Sequence, residues 1–98
     1  METNPKVILM EKRIGAILIV VHSKQGVNQL NDLISKHSHL ILGRQGLPLN
    51  DRSISVISLV IEGSTDEIGA FTGPMGRISG ITVKSIVVPP NVRSNTEN

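Results

Sequence analysis

The apolar residues in the first half of the chain form either continuous runs or a helical pattern. Residues 13–22 (RIGAILIVVH) are almost uniformly aliphatic, which is typical of a central strand covered on both faces. After a polar turn at residues 23–26, a helix is predicted over residues 27–37 from one apolar stripe, which consists of Val27, Leu30, Leu33 and Ile34. Residues 38–47 predict a second strand, and residues 46–51 (GLPLND) predict a loop because they are rich in turn formers.

Alternating apolar and polar residues predict two more strands in the second half. Residues 53–62 alternate with a one-residue break after Val56, which indicates a third strand with one polar face. Residues 81–88 alternate in the same way and predict the last strand. Both segments are rich in β-branched residues, which favour sheet surfaces.

A second helix is predicted between these two strands. Ser64 or Thr65 can cap its first turn, where Asp66 and Glu67 add favourable negative charge. Its apolar stripe consists of Ile68, Phe71 and Met75. Pro74 lacks an amide donor, so we expect it to end or kink the helix within a turn.

The resulting order is β-α-β-β-α-β, which places the chain in the α+β class. With right-handed crossovers, this order packs two helices on one face of a four-stranded antiparallel sheet, the ferredoxin-like βαββαβ plait. No helix is left to cover the other sheet face, and the first strand is aliphatic on both sides. We therefore expect a second copy to cover that face, which makes the protein a homo-oligomer, either a dimer or a tetramer.

Composition narrows the classes of partner. The 98 residues suffice for one domain, and Phe71 is its only aromatic residue, so the core must be aliphatic. A net charge of +2, without base-stacking aromatics, argues against direct nucleic-acid binding. The apolar run 14–21 is far shorter than the roughly 20 residues of a membrane helix, so no membrane partner is expected and the predicted location is cytoplasmic. The absence of cysteine excludes disulfides, thiol nucleophiles and thiolate metal sites.

The order of elements, with the turn Ser23-Lys24-Gln25-Gly26-Val27, resembles the ACT domain, a small regulatory module that binds amino acids or other small ligands at subunit interfaces. A closer resemblance is to the small stand-alone family of iron-only hydrogenase system regulators, which looks like an ACT-like or nickel-regulator C-terminal-like plait. It rests on residues 10–13 (MEKR), 43–48 (GRQGLP), 68–73 (IGAFTG) and 75–84 (MGRISGITVK), and spans about residues 10–88. Pro74 departs from the family pattern, which favours an ordinary helix former there.

The resemblance implies an ACT-like domain over residues 13–89, an N-terminal tail over residues 1–12 and a disordered C-terminal tail over residues 90–98. It also implies a regulatory or sensory homo-oligomer that binds a small ligand at the subunit interface and is linked to iron-only hydrogenase regulation. The alternative is a structural interaction module that scaffolds a partner protein, and the third hypothesis is a nickel-like metal sensor.

Five residues border the two loops where ACT-like modules hold ligands: Gly26, Val27, Gly43, Arg44 and Gly46. Glycine lets a backbone amide approach a carboxylate without a Cβ in the way, and Arg44 is able to pair bidentately with such an anion. The alternative is that these glycines serve turns and a bulge while Arg44 is solvated or bridges subunits.

His37 and His39 are the candidate metal ligands. Residues two apart on a strand project from one face, as two ligands of one metal do. The nickel-regulator C-terminal domain uses such a pair with further ligands that include a cysteine, which this chain lacks. A cationic imidazole at a helix C-terminus explains both histidines without a metal.

Gly69, Gly73 and Gly76 do not form a phosphate loop, because no Gly-Lys-Ser/Thr follows them. They indicate instead that the second helix packs closely against the sheet or a partner subunit. No nucleophile–base pair can be assembled from the sequence, so we expect neither an enzyme nor a cofactor.

Overall fold

A computed structural model describes residues 11–89 of the chain. It contains six regular elements in the predicted order: β1 (Arg13–Val21), α1 (Val27–Lys36), β2 (Ile41–Leu49), β3 (Ile54–Gly63), α2 (Thr65–Met75) and β4 (Ile81–Val87). Three single turns of 3-10 helix lie between them, at Lys24–Gly26, Ser38–Leu40 and Asn50–Arg52. Apart from residues 11 and 12, the tails predicted at residues 1–12 and 90–98 lie outside the described residues.

The four strands form one antiparallel sheet in the order β2-β3-β1-β4, which confirms the ferredoxin-like plait. Both helices cover the same face of this sheet. At one end of the sheet Arg13 lies opposite Gly63, and at the other end Val21 lies opposite Ser55 and Ile81. Among the described residues, no helix has the length and hydropathy needed to cross a membrane.

The core lies between the sheet and the helices, and it is almost wholly aliphatic. Every second residue of β1 faces it, beginning with Gly15. The buried apolar side chains are Ile17, Ile19, Leu30, Ile34, Leu40, Leu59, Ile61, Ile68, Phe71, Met75 and Ile78. Phe71 lies at the centre with no exposed surface, and its ring stacks on that of His37 with centroids 4.9 Å apart.

No element among residues 11–89 covers the opposite side of the sheet, which we call the open face. It carries Ile14, Ala16, Leu18 and Val20 from β1 and the residues registered with them on the neighbouring strands. The prediction of a polar face on β3 is wrong, because Val56 and Val60 lie on the open face. The predicted one-residue break in β3 is also wrong, since its pairing with β1 is continuous and both of its faces carry apolar residues.

β2 differs from the predicted strand at both ends. Residues 38–40 form a turn that buries Leu40, so the strand begins at Ile41 rather than at residue 38. It continues through Pro48 to Leu49, where a loop was predicted, because an edge strand tolerates the missing amide of proline. A bulge interrupts its pairing with β3 between Ile41 and Gly43.

The start and end of α2 follow the prediction. The Ser64 hydroxyl accepts a hydrogen bond of 3.1 Å from the Glu67 backbone N–H, and the Glu67 carboxylate accepts one of 2.9 Å from the Ser64 backbone N–H. This reciprocal pair is a capping box. The helix ends at Met75, one residue after Pro74.

Candidate functional site

An open cleft of about 720 Å³ lies at the end of the sheet where β1 finishes. The turn that joins β1 to α1 forms one wall, and the turn that joins β2 to β3 forms the other. The cleft is lined by Val21, His22, Ser23, Lys24, Val27, Asn28, Asn50, Ser53, Ile54 and Ser55.

The wall from β1 to α1 is a tight turn built around Ser23 and Gly26. Ser23 has an extended backbone, and its hydroxyl accepts a 3.0 Å hydrogen bond from the Gln25 backbone N–H. Gly26 is buried, and a Cβ on it would lie 2.4 Å from Ile78 Cγ2 and 2.5 Å from the Ser79 carbonyl oxygen. Gly26 therefore allows two turns to pack against each other, which favours the structural interpretation of this glycine.

A second glycine, Gly80, lies in the turn before β4, which packs against the turn that contains Gly26. Gly80 has a φ of +84°, a left-handed conformation that glycine adopts without strain. Its carbonyl oxygen accepts a 2.8 Å hydrogen bond from the His22 backbone N–H. The ring Nε2 of His22 lies 2.9 Å from Thr82 Oγ1 on β4, so His22 is held at the rim of the cleft from two sides.

The lining of the cleft combines polar and apolar side chains and carries no carboxylate. Lys24 supplies one positive charge, while asparagine amides and serine hydroxyls supply neutral donors and acceptors. Val21, Val27 and Ile54 provide apolar surface. Such a surface suits a small organic molecule with polar or anionic groups better than it suits a cation.

The structure does not bring the five predicted ligand residues together. Val27 lines the cleft, but Gly43, Arg44 and Gly46 lie on the edge strand β2. Arg44, opposite Leu59, borders a separate cavity of about 630 Å³ between β2 and α1.

Sequence reasoning missed the wall formed by Asn50 and Ser53. Ser53 adopts a left-handed φ of 57°, which closes the turn between β2 and β3. The turn formers in residues 46–51 predict a bend there but not its position opposite Lys24. That position depends on how the two turns lie at one end of the sheet.

The two candidate metal ligands do not share a strand, so that part of the prediction is wrong. His37 ends α1, where its ring Nδ1 donates a 3.0 Å hydrogen bond to the Leu33 carbonyl oxygen. His39 lies in the next turn, with ring centroids 6.4 Å apart. Within residues 11–89 no three histidine, aspartate or glutamate side chains lie close enough together to hold a metal ion.

The glycines of α2 do not pack against the sheet. A Cβ on Gly69 or Gly73 would meet no atom within 4 Å, and both residues are exposed. On Gly76 it would make only ordinary contacts of 3.7 Å. Of the two predicted reasons for these glycines, packing against the chain's own sheet is therefore excluded for Gly69 and Gly73.

Comparison with known proteins identifies a family for this chain. Residues 13–85 match the family model TM1266-like, described as "Iron-only hydrogenase system regulator, putative". The solved structure of the uncharacterized protein TM1266 from Thermotoga maritima is 37% identical, with a TM-score of 0.75. The match covers 80% of this chain and 99% of that one.

Two further solved structures are similar only at 10–11% identity. The divalent ion tolerance protein CutA1 from Ehrlichia chaffeensis gives a TM-score of 0.42, with 82% of this chain and 83% of that chain covered. The nitrogen regulatory PII-like protein CPII from Thiomonas intermedia K12 gives 0.43, with 79% and 91% covered. No curated protein matches the sequence.

Proposed function

The chain belongs to the TM1266-like family of iron-only hydrogenase system regulators, and on that premise we propose that it is a regulatory protein that binds a small ligand and assembles as a homo-oligomer. The observation that carries this proposal is the position of the cleft beside the open face. Ile54 lines the cleft and, by its register on β3, also belongs to the open face. A second copy on the open face would therefore border the cleft.

The exposed apolar side chains of the open face support the assembly. Ile14 and Leu18 of β1 are 43% and 47% exposed, and Val60 on the neighbouring β3 is 42% exposed. A cluster of exposed apolar side chains on one face of a sheet is typical of a surface that contacts another chain. A second copy that covers the face would remove these side chains from water, at about 25 cal/mol per Å² of apolar surface.

The size and chemistry of the cleft support the proposal that it binds a small ligand. Its volume of about 720 Å³ lies within the range of about 300–1,000 Å³ that is usual for small-molecule sites. A ligand that contacts both the cleft and a neighbouring copy binds the assembled state more tightly than the single chain. By linkage, its occupancy shifts the assembly equilibrium, and this shift is the regulatory signal.

A thermal-shift screen tests the ligand directly. Amino acids, nucleotides and divalent metal salts are added singly, and a true ligand raises the Tm because it binds only the folded state. The variant Lys24→Gln should lose the shift given by an anionic ligand. Lys36→Gln, at the other end of α1, should keep it, since Lys36 does not line the cleft.

The same screen separates the alternatives. An oligomer that responds to none of the compounds would favour a structural interaction module, whose open face binds a partner protein. A shift with nickel that disappears in His37→Ala would favour the metal sensor. A protein that sediments as a monomer at micromolar concentration would contradict the proposed assembly.

A further inference from the structure

The second cavity, between α1 and the edge strand β2, is separate from the cleft. It has a volume of about 630 Å³ and is lined by Asn31, Ile34, Ser35, Ser38, Ile41 and Arg44, none of which lines the cleft. Arg44 lies opposite Leu59, which is four strand residues, or about 13 Å, from Ser55 in the cleft. A small ligand in the cleft therefore does not reach Arg44.

A bulge in β2 turns the side chain of Arg44 toward α1. The pairing of β2 with β3 skips one residue, Leu42. In a regular strand Arg44 would lie opposite Ser58, on the open face. Because of the extra residue it lies opposite Leu59 instead, whose side chain is buried beneath the helices. Bulges are common next to functional sites, where they re-aim a side chain in this way.

The charge of Arg44 is not neutralised at this cavity. Of the described residues that line it, Arg44 alone is charged. The one ion pair within residues 11–89 joins Arg52 to Asp51, so it does not involve Arg44. The acidic residue of α1, Asp32, lines the groove between the two helices instead. A guanidinium presents its N–H donors in a fixed fork that fits a carboxylate, so this cavity suits an anion.

Three neutral polar side chains add donors to the same cavity. Asn31 and Ser35 are four residues apart on α1 and therefore project from the same side of the helix. Ser38 begins the next turn, which is closed by a 2.9 Å hydrogen bond from the Leu40 N–H to the His37 carbonyl oxygen. The amide and hydroxyl groups can donate to oxygen atoms that the guanidinium leaves free.

The end of α1 opposes an anion only weakly. A helix C-terminus carries roughly half an elementary negative charge, which is less than the full positive charge of Arg44. Two carbonyl groups at this end, those of Leu33 and Ile34, already accept hydrogen bonds of 3.2 Å from the His37 backbone N–H. The balance of charge at the cavity is therefore positive.

Apolar side chains beside the guanidinium narrow the class of anion. Ile34 is buried and Ile41 is partly buried against the core. This surface favours an organic anion over inorganic phosphate, because the hydrocarbon part of the ligand leaves water. No acidic residue among the described lining residues would pair with an ammonium group, so the cavity favours a carboxylate without an α-amino group.

From these observations we propose that this cavity is a second small-molecule site, which binds an organic carboxylate with a short aliphatic body. The guanidinium of Arg44 binds the carboxylate through two parallel hydrogen bonds, and Ser35 and Ser38 donate to its remaining lone pairs. The aliphatic body contacts Ile41. This site is additional to the cleft of the proposed function and depends neither on a ligand there nor on assembly.

An NMR titration of the ¹⁵N-labelled protein with butyrate tests the site. The backbone amides of Ser35, Ser38 and Arg44 and the Arg44 side-chain Nε–H should show shifts that saturate. Butyramide, which has the same shape without the charge, should cause no such shifts, and 2-aminobutyrate and inorganic phosphate should bind more weakly than butyrate. Shifts confined to Lys24 and Asn28 would overturn this proposal while supporting a ligand in the cleft. Equal affinity for butyramide, 2-aminobutyrate or phosphate would contradict the proposed ligand class.

Variants assign the binding to Arg44. Arg44→Gln should weaken butyrate binding at least about fivefold, as loss of an exposed bidentate pair does. Arg52→Gln removes the same charge from another exposed position and should leave binding unchanged. Arg44→Lys keeps the charge without the fork, so its affinity should lie between those of Arg44→Gln and the unmodified protein.

Ser35→Ala gives an independent test on α1, and it should also weaken butyrate binding because one donor is lost. Circular dichroism should show that each variant keeps the fold. Unchanged affinity in both Arg44→Gln and Ser35→Ala would overturn the proposal. An equal loss in Arg52→Gln and Arg44→Gln would overturn it as well, because binding would then depend on net charge rather than on this cavity.

Discussion

Among single residues, Gly26 controls the junction between the turn after β1 and the turn before β4. A Cβ on Gly26 would lie too close to two other atoms, Ile78 Cγ2 and the Ser79 carbonyl oxygen. One of these atoms belongs to the backbone, so it cannot rotate away as a flexible side chain does. The fold tolerates only glycine at this position without moving a turn.

We therefore predict that Gly26→Ala lowers the free energy of unfolding by about 1–3 kcal/mol, as overpacking does in other cores. The matched control is Gly43→Ala, where the added Cβ meets no atom within 4 Å. This control should change stability by less than about 1 kcal/mol, in the stabilising direction. Urea denaturation of both variants measures the difference, and equal effects would contradict the packing argument.

The glycines show why only part of the candidate site could be predicted from the sequence. Spacing correctly identified Gly26 as a turn residue, and Val27 does line the cleft. Spacing did not show that Ile78 leaves no room for a side chain at position 26, because that contact joins residues far apart in sequence. Arg44 is likewise separated from the cleft because it lies on the face of β2 that packs beside α1, and the sequence alone does not show which face that is.

Among the elements, α2 depends on its capping box. The hydrogen bond from the Ser64 backbone N–H lowers the pKa of Glu67 below its ordinary value of 4.5, with a smaller opposing effect of desolvation. The ionised carboxylate also lies at the positive end of the helix dipole. Both effects require the folded helix, so they make stability depend on pH.

We predict that stability falls as the pH drops below about 4.5, since Glu67 binds a proton less readily in the folded chain than in the unfolded one. The contribution is fully present above the unfolded pKa and is lost as the pH falls through the folded value. Glu67→Gln keeps an acceptor for the Ser64 N–H but has no charge to titrate. Its denaturation midpoint should vary less between pH 3 and 6, roughly the titration range of a carboxyl group, than that of the unmodified protein.

The outer side of α2 gives the opposite kind of prediction. Gly69 is exposed in the helix interior, and a Cβ on it would meet no atom from another part of the chain, so Gly69→Ala should raise the stability of the single chain by about 0.5–1 kcal/mol. Gly80→Ala should lower it, because alanine is strained at a φ of +84° and its Cβ would lie 3.1 Å from Ser23 Cβ. Thermal unfolding of the two variants in dilute solution should shift the Tm in opposite directions.

The sequence predicted the type and order of all six elements because each has a clear periodicity or turn signal. The start of β2 was missed because Leu40 continues the apolar pattern of the strand although it lies in a turn. The faces of β3 were misassigned because Val56 and Val60 are apolar on the side that lacks a helix. Both errors arise from apolar residues whose environment is set by tertiary structure rather than by local pattern.

On the scale of the whole molecule, the open face is an exposed sheet surface rich in apolar side chains, and it lies beside a cleft of mixed polarity. Leu18 lies near the middle of this face, between Ser58 and Lys84 of the neighbouring strands. We predict that Leu18→Lys reduces assembly through this face, because the new ammonium group would lie beside Lys84 and its charge would be buried without an acidic partner on the neighbouring strands. Circular dichroism should show an unchanged fold, and light scattering should show a smaller mass; an unchanged mass would argue against the open face as a contact.

The pairing of Gly15 with Val87 has a practical consequence for protein engineering. It brings the beginning of β1 and the end of β4 together at one end of the sheet, six strand residues, or about 20 Å, from Val21 at the cleft. A reporter domain joined directly to the start of β1 or to the end of β4 would therefore be attached at the end of the sheet away from the cleft. The adjacent strand ends also favour circular permutation.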